Sequence, residues 1–288
     1  MIHWDRDLVS AIARRRSVVV VGSGVSKNST NTAGRRPASW EEFLQGASNN
    51  LGNPPVVDEL IRNKDFLTAC EIIKRRLSTD VFVSLVQAEY QQPGYRPAEI
   101  HEHIYNLDSS IVASPNFDVI YDTYATGISN GSVVVKDHTS TDIVRYISGG
   151  EIRLILKTHG TANTPTHLIF TRKDYAEART KYVLFYEILK SLILTHTFFF
   201  LGCGVDDPDI RLLFEDVQFA HGRMPLHYMT IPQSEVDDEV LSVATDSMRI
   251  KFYQYSRDNG HLELTESLKE LVQLVDLARV QLGTDQKW

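Results

Sequence analysis

Short apolar runs separated by longer amphipathic stretches set the rhythm of this chain. The run Ser17–Val21 holds four consecutive valines and is apolar at both parities, the pattern of a strand buried on both faces of a parallel sheet. Similar runs recur at Ile111–Ala113, Ser132–Val135, Arg153–Leu156, Thr197–Leu201, His227–Ile231 and Arg249–Tyr253. Helical periodicity fills most of the intervals, including Tyr182–Leu194, Ile210–Phe219 and Leu262–Leu282. The last of these places Leu264, Leu268, Leu271, Val275 and Leu282 on one stripe. Near the start, Leu8 and Ile12 mark a short helix closed by Arg14-Arg15-Arg16, cations that suit the negative end of a helix dipole. Strands alternating with helices predict an α/β fold with a mainly parallel sheet and helices on both faces.

One segment departs from this rhythm. From Trp40 to about Leu107 only helical patterns occur, at Trp40–Leu51, Val56–Arg62, Phe66–Leu77 and Val81–Tyr90, before Gln91–Pro97 breaks the chain. The expectation is a helical lobe over about 38–107, inserted into a sheet-bearing part made of 1–37 and 108–288. No internal repeat or low-complexity tract interrupts this plan.

Composition narrows the class. With 30 basic against 37 acidic residues the net charge is −7, which argues against direct nucleic-acid binding, since phosphate neutralisation supplies most of that affinity. Cys70 and Cys203 are too few for a disulfide scaffold or a four-cysteine zinc site. The N-terminus lacks the apolar core of a signal peptide, and the most apolar stretch, 191–205, is too short to span a membrane. These features predict a soluble, reduced, cytoplasmic protein with no membrane association.

Four segments carry candidate chemistry, and each directly follows an apolar run. Gly22-Ser23-Gly24-Val25-Ser26 follows the valine strand. Its glycines suit either an ordinary strand-to-helix turn or a backbone cradle for pyrophosphate at a helix N-terminus. Both the dinucleotide fingerprint and the P-loop pattern are incomplete here. Lys27, Arg35 and Arg36 lie nearby as solvated or charge-supplying positions. Ser114-Pro115-Asn116-Phe117-Asp118 follows the next strand, at the carboxyl end where open α/β sheets bind ligands. Asn116 can position a water or an amide, and Asp118 can bind ribose hydroxyls; helix capping is the alternative for both. Lys157-Thr158-His159-Gly160 is the third segment. Ten histidines are present, so residue type alone selects none, but His159 is singled out by its strand-end position and can serve as a general base. Fourth is Gly202-Cys203-Gly204-Val205-Asp206-Asp207-Pro208-Asp209. Its glycines permit close approach of a backbone or a nucleotide, and Asp207 with Pro208 reads as a helix start. Zincin and serine-hydrolase patterns fail, because Tyr105 stands where a second histidine is needed and no G-x-S-x-G occurs.

In this order the segments resemble the sirtuin-like NAD-consuming domain, whose sheet is Rossmann-like. Gly22–Ser26 is similar to that family's G-A-G-x-S loop, with Ser23 in place of alanine. Trp40 resembles the tryptophan that opens the helical lobe in the prokaryotic branch. Asn116 and Asp118 resemble the T-x-N-x-D motif, His159-Gly160 the H-G pair, and Leu201–Asp209 the late G-x-[SG]-x-x-D-P-[ND] motif. Protein deacylases of the family carry a four-cysteine zinc ribbon and a G-I-P-D-F-R loop, both lacking here. The resemblance therefore points to the antiphage-defence branch.

That resemblance implies an NAD glycohydrolase that cleaves NAD to nicotinamide and ADP-ribose and needs no metal. Asn116 and His159 would be its catalytic residues; Gly22, Ser23, Gly24, Ser26, Asp118, Gly202 and Gly204 would bind NAD. Defence by NAD depletion (abortive infection) implies restraint until triggered. The expectation is a single catalytic domain acting as a homo-oligomer with a separate regulatory partner, such as an ATPase or phage sensor, because little chain follows residue 282. A catalytically silent NAD or ADP-ribose sensor or assembly subunit is the alternative, with protein deacylation a third.

Overall fold

The computed structural model of the chain describes residues 1–147, 151–204, 208–222 and 224–285, with the backbone alone at 208–210. Seven strands form one sheet: β1 (Ser17–Val21), β2 (Ile111–Ser114), β3 (Val133–Asp137), β4 (Arg153–Lys157), β5 (Thr197–Leu201), β6 (His227–Pro232) and β7 (Ile250–Tyr255). Their order is β3-β4-β2-β1-β5-β6-β7, and every neighbouring pair is parallel. The fold is a Rossmann-like α/β sandwich, as the apolar runs predict.

Alternation along the strands divides the core in two. Val18, Val20, Leu154, Leu156, Phe198 and Phe200 face helices Arg172–Lys181, Val183–Thr195, Pro208–His221 and Asp238–Met248. Val19, Val21, Val112, Ile155, Phe199 and Leu201 face helices Arg6–Ala13, Glu99–Asn106, Ile120–Ile128 and the long Asp258–Asp285. Every residue of β1 is buried, because both faces are covered; each fully buried valine or phenylalanine stabilises the sheet by about 1.5–3 kcal/mol. Helices Glu99–Asn106, Arg172–Lys181 and Asp238–Met248 are not among those that the sequence pattern predicts. Arg172–Lys181 buries only Tyr175 and Ala178, and a Thr171–Asp174 capping box starts it.

The helical lobe comprises Trp40–Asn50, Pro55–Arg62, Phe66–Arg76 and Thr79–Tyr90. Three of the four start at side-chain caps: the Ser39–Glu42 box, Asp65 accepting from the Thr68 amide, and Ser78 accepting from the Val81 amide; Pro55 opens the other. Leu44, Ile61, Ile73 and Val86 fill its interior together with Phe170, which follows β4 in sequence. The fully buried Phe170 ring lies 5.0 Å from Phe82 and 5.8 Å from both Phe43 and Phe117. It pins the lobe to the sheet. Helix Glu99–Asn106, by contrast, buries Ile100 and Ile104 against the sheet rather than in the lobe.

Strand order places a crevice. β1 and β5 are neighbours, yet the helix before β2 packs on one face of the sheet and the helix after β5 on the other. Diverging connections leave a gap at the carboxyl ends of the two strands, where ligands bind in open α/β sheets. Among the described residues no helix is long and apolar enough to cross a membrane.

The core also contains a titrating group. His227 on β6 is fully buried, and its Nδ1 accepts the Phe198 amide at 3.0 Å. Burial, with Arg249 adding repulsion, pushes its pKa down to about 3. The unfolded chain therefore takes up this proton first, and stability is lost as pH falls from about 6.5 toward 3. The loss from this group is about 1.4 kcal/mol per pH unit inside that window. His227→Asn, whose Oδ1 can accept the same amide, is expected to flatten the dependence of urea-unfolding free energy on pH between 6.5 and 5. An unchanged slope would count against this assignment.

Candidate active site

The floor of the crevice is a contact between two glycine turns. After β1, the single helical turn Ser23–Ser26 begins at Gly22. The Gly22 amide donates to the Leu201 carbonyl and the Gly24 amide to the Gly202 carbonyl, both at 2.9 Å. A Cβ on Gly22 would lie 2.3 Å from the Gly202 oxygen. Gly202 has a φ of +62°, and a Cβ there would lie 2.5 Å from the Val25 nitrogen. These glycines thus serve backbone-to-backbone approach, and two of their amides are already engaged. Ser23 is exposed and lines the crevice.

The loop after β2 is held from the same turn. The Ser26 hydroxyl donates to Asp118 Oδ2 at 2.8 Å and accepts from Asn116 Nδ2 at 3.0 Å. Asp118 Oδ1 accepts the Ile120 amide at 3.1 Å, capping the helix that follows. Ser114 Oγ donates to the Val21 carbonyl and accepts from the Asn116 amide. Asp118 is buried with both carboxylate oxygens engaged, an arrangement that orders the loop. The Asn116 amide keeps its Oδ1 free of the Ser26 bond, and the side chain borders the crevice.

His159 arrives from the end of β4. It is 5% exposed, lines the crevice, and meets Tyr175 edge-on with ring centroids 5.2 Å apart. Its carbonyl accepts the Ile169 amide at 3.0 Å. Gly160 then turns the chain at a φ of +83°, where a Cβ would lie 2.9 Å from the His167 carbonyl oxygen. Among the described residues no hydrogen bond engages the His159 ring.

The cleft these segments enclose has a volume of about 390 Å³, within the range of small-molecule sites. Gly22, Ser23, Ser26, Asn116, Asp118, His159, Gly202 and Gly204 all line it. Gly24, whose amide is bonded to the Gly202 carbonyl, does not line it. Val205, Asp206 and Asp207 lie outside the described residues, so the helix start expected at Asp207 does too; the helix itself begins at Pro208. Trp40, Phe66 and Tyr90 from the lobe form the opposite wall, with Tyr175 and Cys203 closing the sides. Sequence reading passes over Phe66 and Tyr90, since their helical spacing marks them only as core, and over Tyr175, which lies in a helix that the pattern does not predict. Burial raises the Tyr90 phenol well above its usual range, with Glu89 and Asp118 adding to the shift, so this phenol stays neutral. Among the described residues no group of three or more His, Cys, Asp or Glu side chains converges as a metal site would require.

The glycine contact makes a stability prediction. Gly22→Ala is expected to lower the unfolding free energy by about 3 kcal/mol, because two backbones must separate. Gly46→Ala, in the lobe helix where a Cβ meets nothing within 4 Å, is expected to raise it by up to about 1 kcal/mol. Urea titration of both variants checks the contrast.

Comparison with known proteins places this geometry. Residues 111–253 match the family model described as SIR2-like domain, a span that runs from β2 into β7 and includes Asn116 and His159. The chain is 22% identical over 213 residues to NAD(+) hydrolase ThsA of Enterococcus faecium, covering 73% of this chain and 41% of that one. It is 26% identical over 122 residues to defense-associated sirtuin 2 of Bacillus subtilis, covering 41% of this chain and 12% of the relative. A second NAD(+) hydrolase ThsA, from Acinetobacter baumannii, is 24% identical over 132 residues and is covered over 27% of its length. The chain thus spans less than half the length of each of these relatives. On the parallel sheet and the motif-bearing loops at its carboxyl edge, residues 111–253 hold a SIR2-like domain, and the chain is similar to NAD(+) hydrolase ThsA and defense-associated sirtuin 2.

Proposed function

We propose that this domain cleaves the nicotinamide–ribose bond of NAD, releasing nicotinamide and ADP-ribose. The observation that carries the reading is the meeting of Asn116 and His159, from loops after adjacent strands, at one cleft floored by the Gly22–Ser26 turn. Similarity to two proteins named NAD(+) hydrolase supports it.

The chemistry asks little of the protein beyond placement. Nicotinamide departs as a neutral pyridine, so no acid need protonate it. What remains is to stabilise an oxocarbenium-like ribose and bring water to its anomeric carbon. In this reading His159 is the general base that takes the proton from that water or from a ribose hydroxyl. Asn116, anchored through Nδ2 to Ser26, presents its Oδ1 to the water or to the nicotinamide amide. Asp118 keeps the loop in register through Ser26 and the Ile120 amide. Ser23, Gly202 and Gly204, which line the cleft, would contact the pyrophosphate and adenosine. The reaction as written uses no metal.

An enzyme that drains NAD must be restrained in its own cell, so the reading includes a homo-oligomeric active form and a regulatory partner encoded separately. As part of antiphage defence, the single domain would act on a soluble cytoplasmic pool of NAD. The test is NAD turnover by the purified protein, alone and with the product of the adjacent gene. Nicotinamide and ADP-ribose are expected in equal amounts. His159→Ala and Asn116→Ala are each expected to lower turnover by on the order of 10²–10⁴-fold while the far-ultraviolet spectrum is retained. Tight calorimetric binding of NAD without cleavage in any of these conditions would replace this reading with that of a silent sensor.

A further inference from the structure

Lys157 is the most deeply buried charged side chain beside the cleft, yet it does not line the cleft. It sits at the last position of β4, two residues before His159, and is 1% exposed. The strand's alternation sends it to the face that carries Ile155 and the helix Ile120–Ile128. There its ammonium donates to the Asp118 carbonyl oxygen at 2.7 Å and pairs with Asp122 Oδ2 at 3.1 Å. Asp122 is itself 6% exposed, and its Oδ1 has no hydrogen-bond partner among the described residues.

Stability does not account for this pair. Taking an ammonium and a carboxylate out of water is costly, and well-packed apolar replacements of buried ion pairs are often as stable or more so. Position offers a better account. The Asn116 loop is fixed to the β1 turn through Ser26 and Ser114. Toward β4 it is fixed by the Thr158 amide on the Ser114 carbonyl and the Ala162 amide on the Phe117 carbonyl, at 3.0 and 2.8 Å. The Asp118 carbonyl, where the loop turns into its helix, is held by Lys157. One buried charge therefore ties three things together: the strand end that carries His159, the loop that carries Asn116, and the helix that backs them.

We infer that Lys157 is a positioning residue, whose buried ammonium sets the Asn116 loop against His159 for cleavage of the nicotinamide–ribose bond. The inference rests on the NAD-cleaving reading above, and reactivity falls steeply when reacting groups are displaced by as little as about 1 Å.

The test is the double variant Lys157→Met with Asp122→Leu, which removes both charges and keeps the volume apolar. Its thermal unfolding midpoint is expected to match or exceed that of the wild type. Its kcat for NAD, normalised to the fraction of molecules that bind NAD in calorimetry, is expected to fall by on the order of 10²-fold, with KM within about threefold. Amide hydrogen exchange over 115–120 is expected to quicken while the β1 and β5 amides keep their protection. A double variant with wild-type kcat and wild-type exchange would overturn the inference. Should it not fold, Lys157→Met alone, in which a protonated Asp122 can remain, is read in the same way. If the wild-type protein cleaves no NAD, the proposed function fails on its own, and the exchange measurement still decides whether Lys157 sets the loop.

Discussion

The site depends on one close contact, between the backbone turns that end β1 and β5. A peptide group on each side donates or accepts across a gap too narrow for a Cβ, as the 2.3 Å clearance at Gly22 shows. That contact brings the Ser23–Ser26 turn directly beneath the β2 loop, where a single hydroxyl, on Ser26, reaches both Asn116 and Asp118. Everything else in the cleft is arranged around this floor. The lobe supplies the far wall and is held in place by Phe170, an aromatic anchor contributed from beyond β4. The result joins residues about 90 positions apart through short, buried, well-formed hydrogen bonds, an inexpensive way to hold a polar constellation still.

Burial and polarity are divided with some economy. Where the strands lie inside the sandwich, both faces are apolar; at their carboxyl ends the same strands turn polar within one or two residues. Ser114, Lys157 and Thr158 mark that transition, and each is engaged or enclosed rather than presented to solvent. The polar groups nearest the cleft thus fall into two kinds. Asn116, His159, Ser26 and Asp118 border the cleft, the last two bonded to each other, whereas Lys157 and Asp122 are paired behind it. A cleft built this way is stiff beneath and receptive above, which suits chemistry that depends on placing water and ribose accurately.

Much of the fold was legible from pattern. All seven strands fall on the short apolar runs, and the four lobe helices fall on amphipathic stretches bounded by Ser39, Asp65 and Ser78. Less visible were helices whose buried stripe is thin, such as Arg172–Lys181, where two residues carry the packing and a capping box carries the start. The lobe's cleft-facing aromatics were also invisible, since Phe66 and Tyr90 occupy positions that helical spacing assigns to an interior. The engagement of the Gly22 and Gly24 amides by the turn after β5 was likewise invisible, since it depends on a segment about 180 positions away.

What the sequence by itself determined is local and periodic: a short two-sided apolar run marks a strand, a glycine pair marks a tight turn, and two cysteines cannot build a zinc ribbon. These follow from chain geometry and residue chemistry alone, although the run Ser132–Val135 falls on the edge strand β3, so position within the sheet is not among them. Tertiary structure decided which loops meet. Strand order puts β1 between β2 and β5, with β4 beyond β2, so the carboxyl ends of strands far apart in the chain open onto one cleft. It also decided that Lys157 is buried behind that cleft rather than solvated at its rim. No local pattern records such facts, because they depend on the partner across the gap, and the partner is chosen only when the sheet closes.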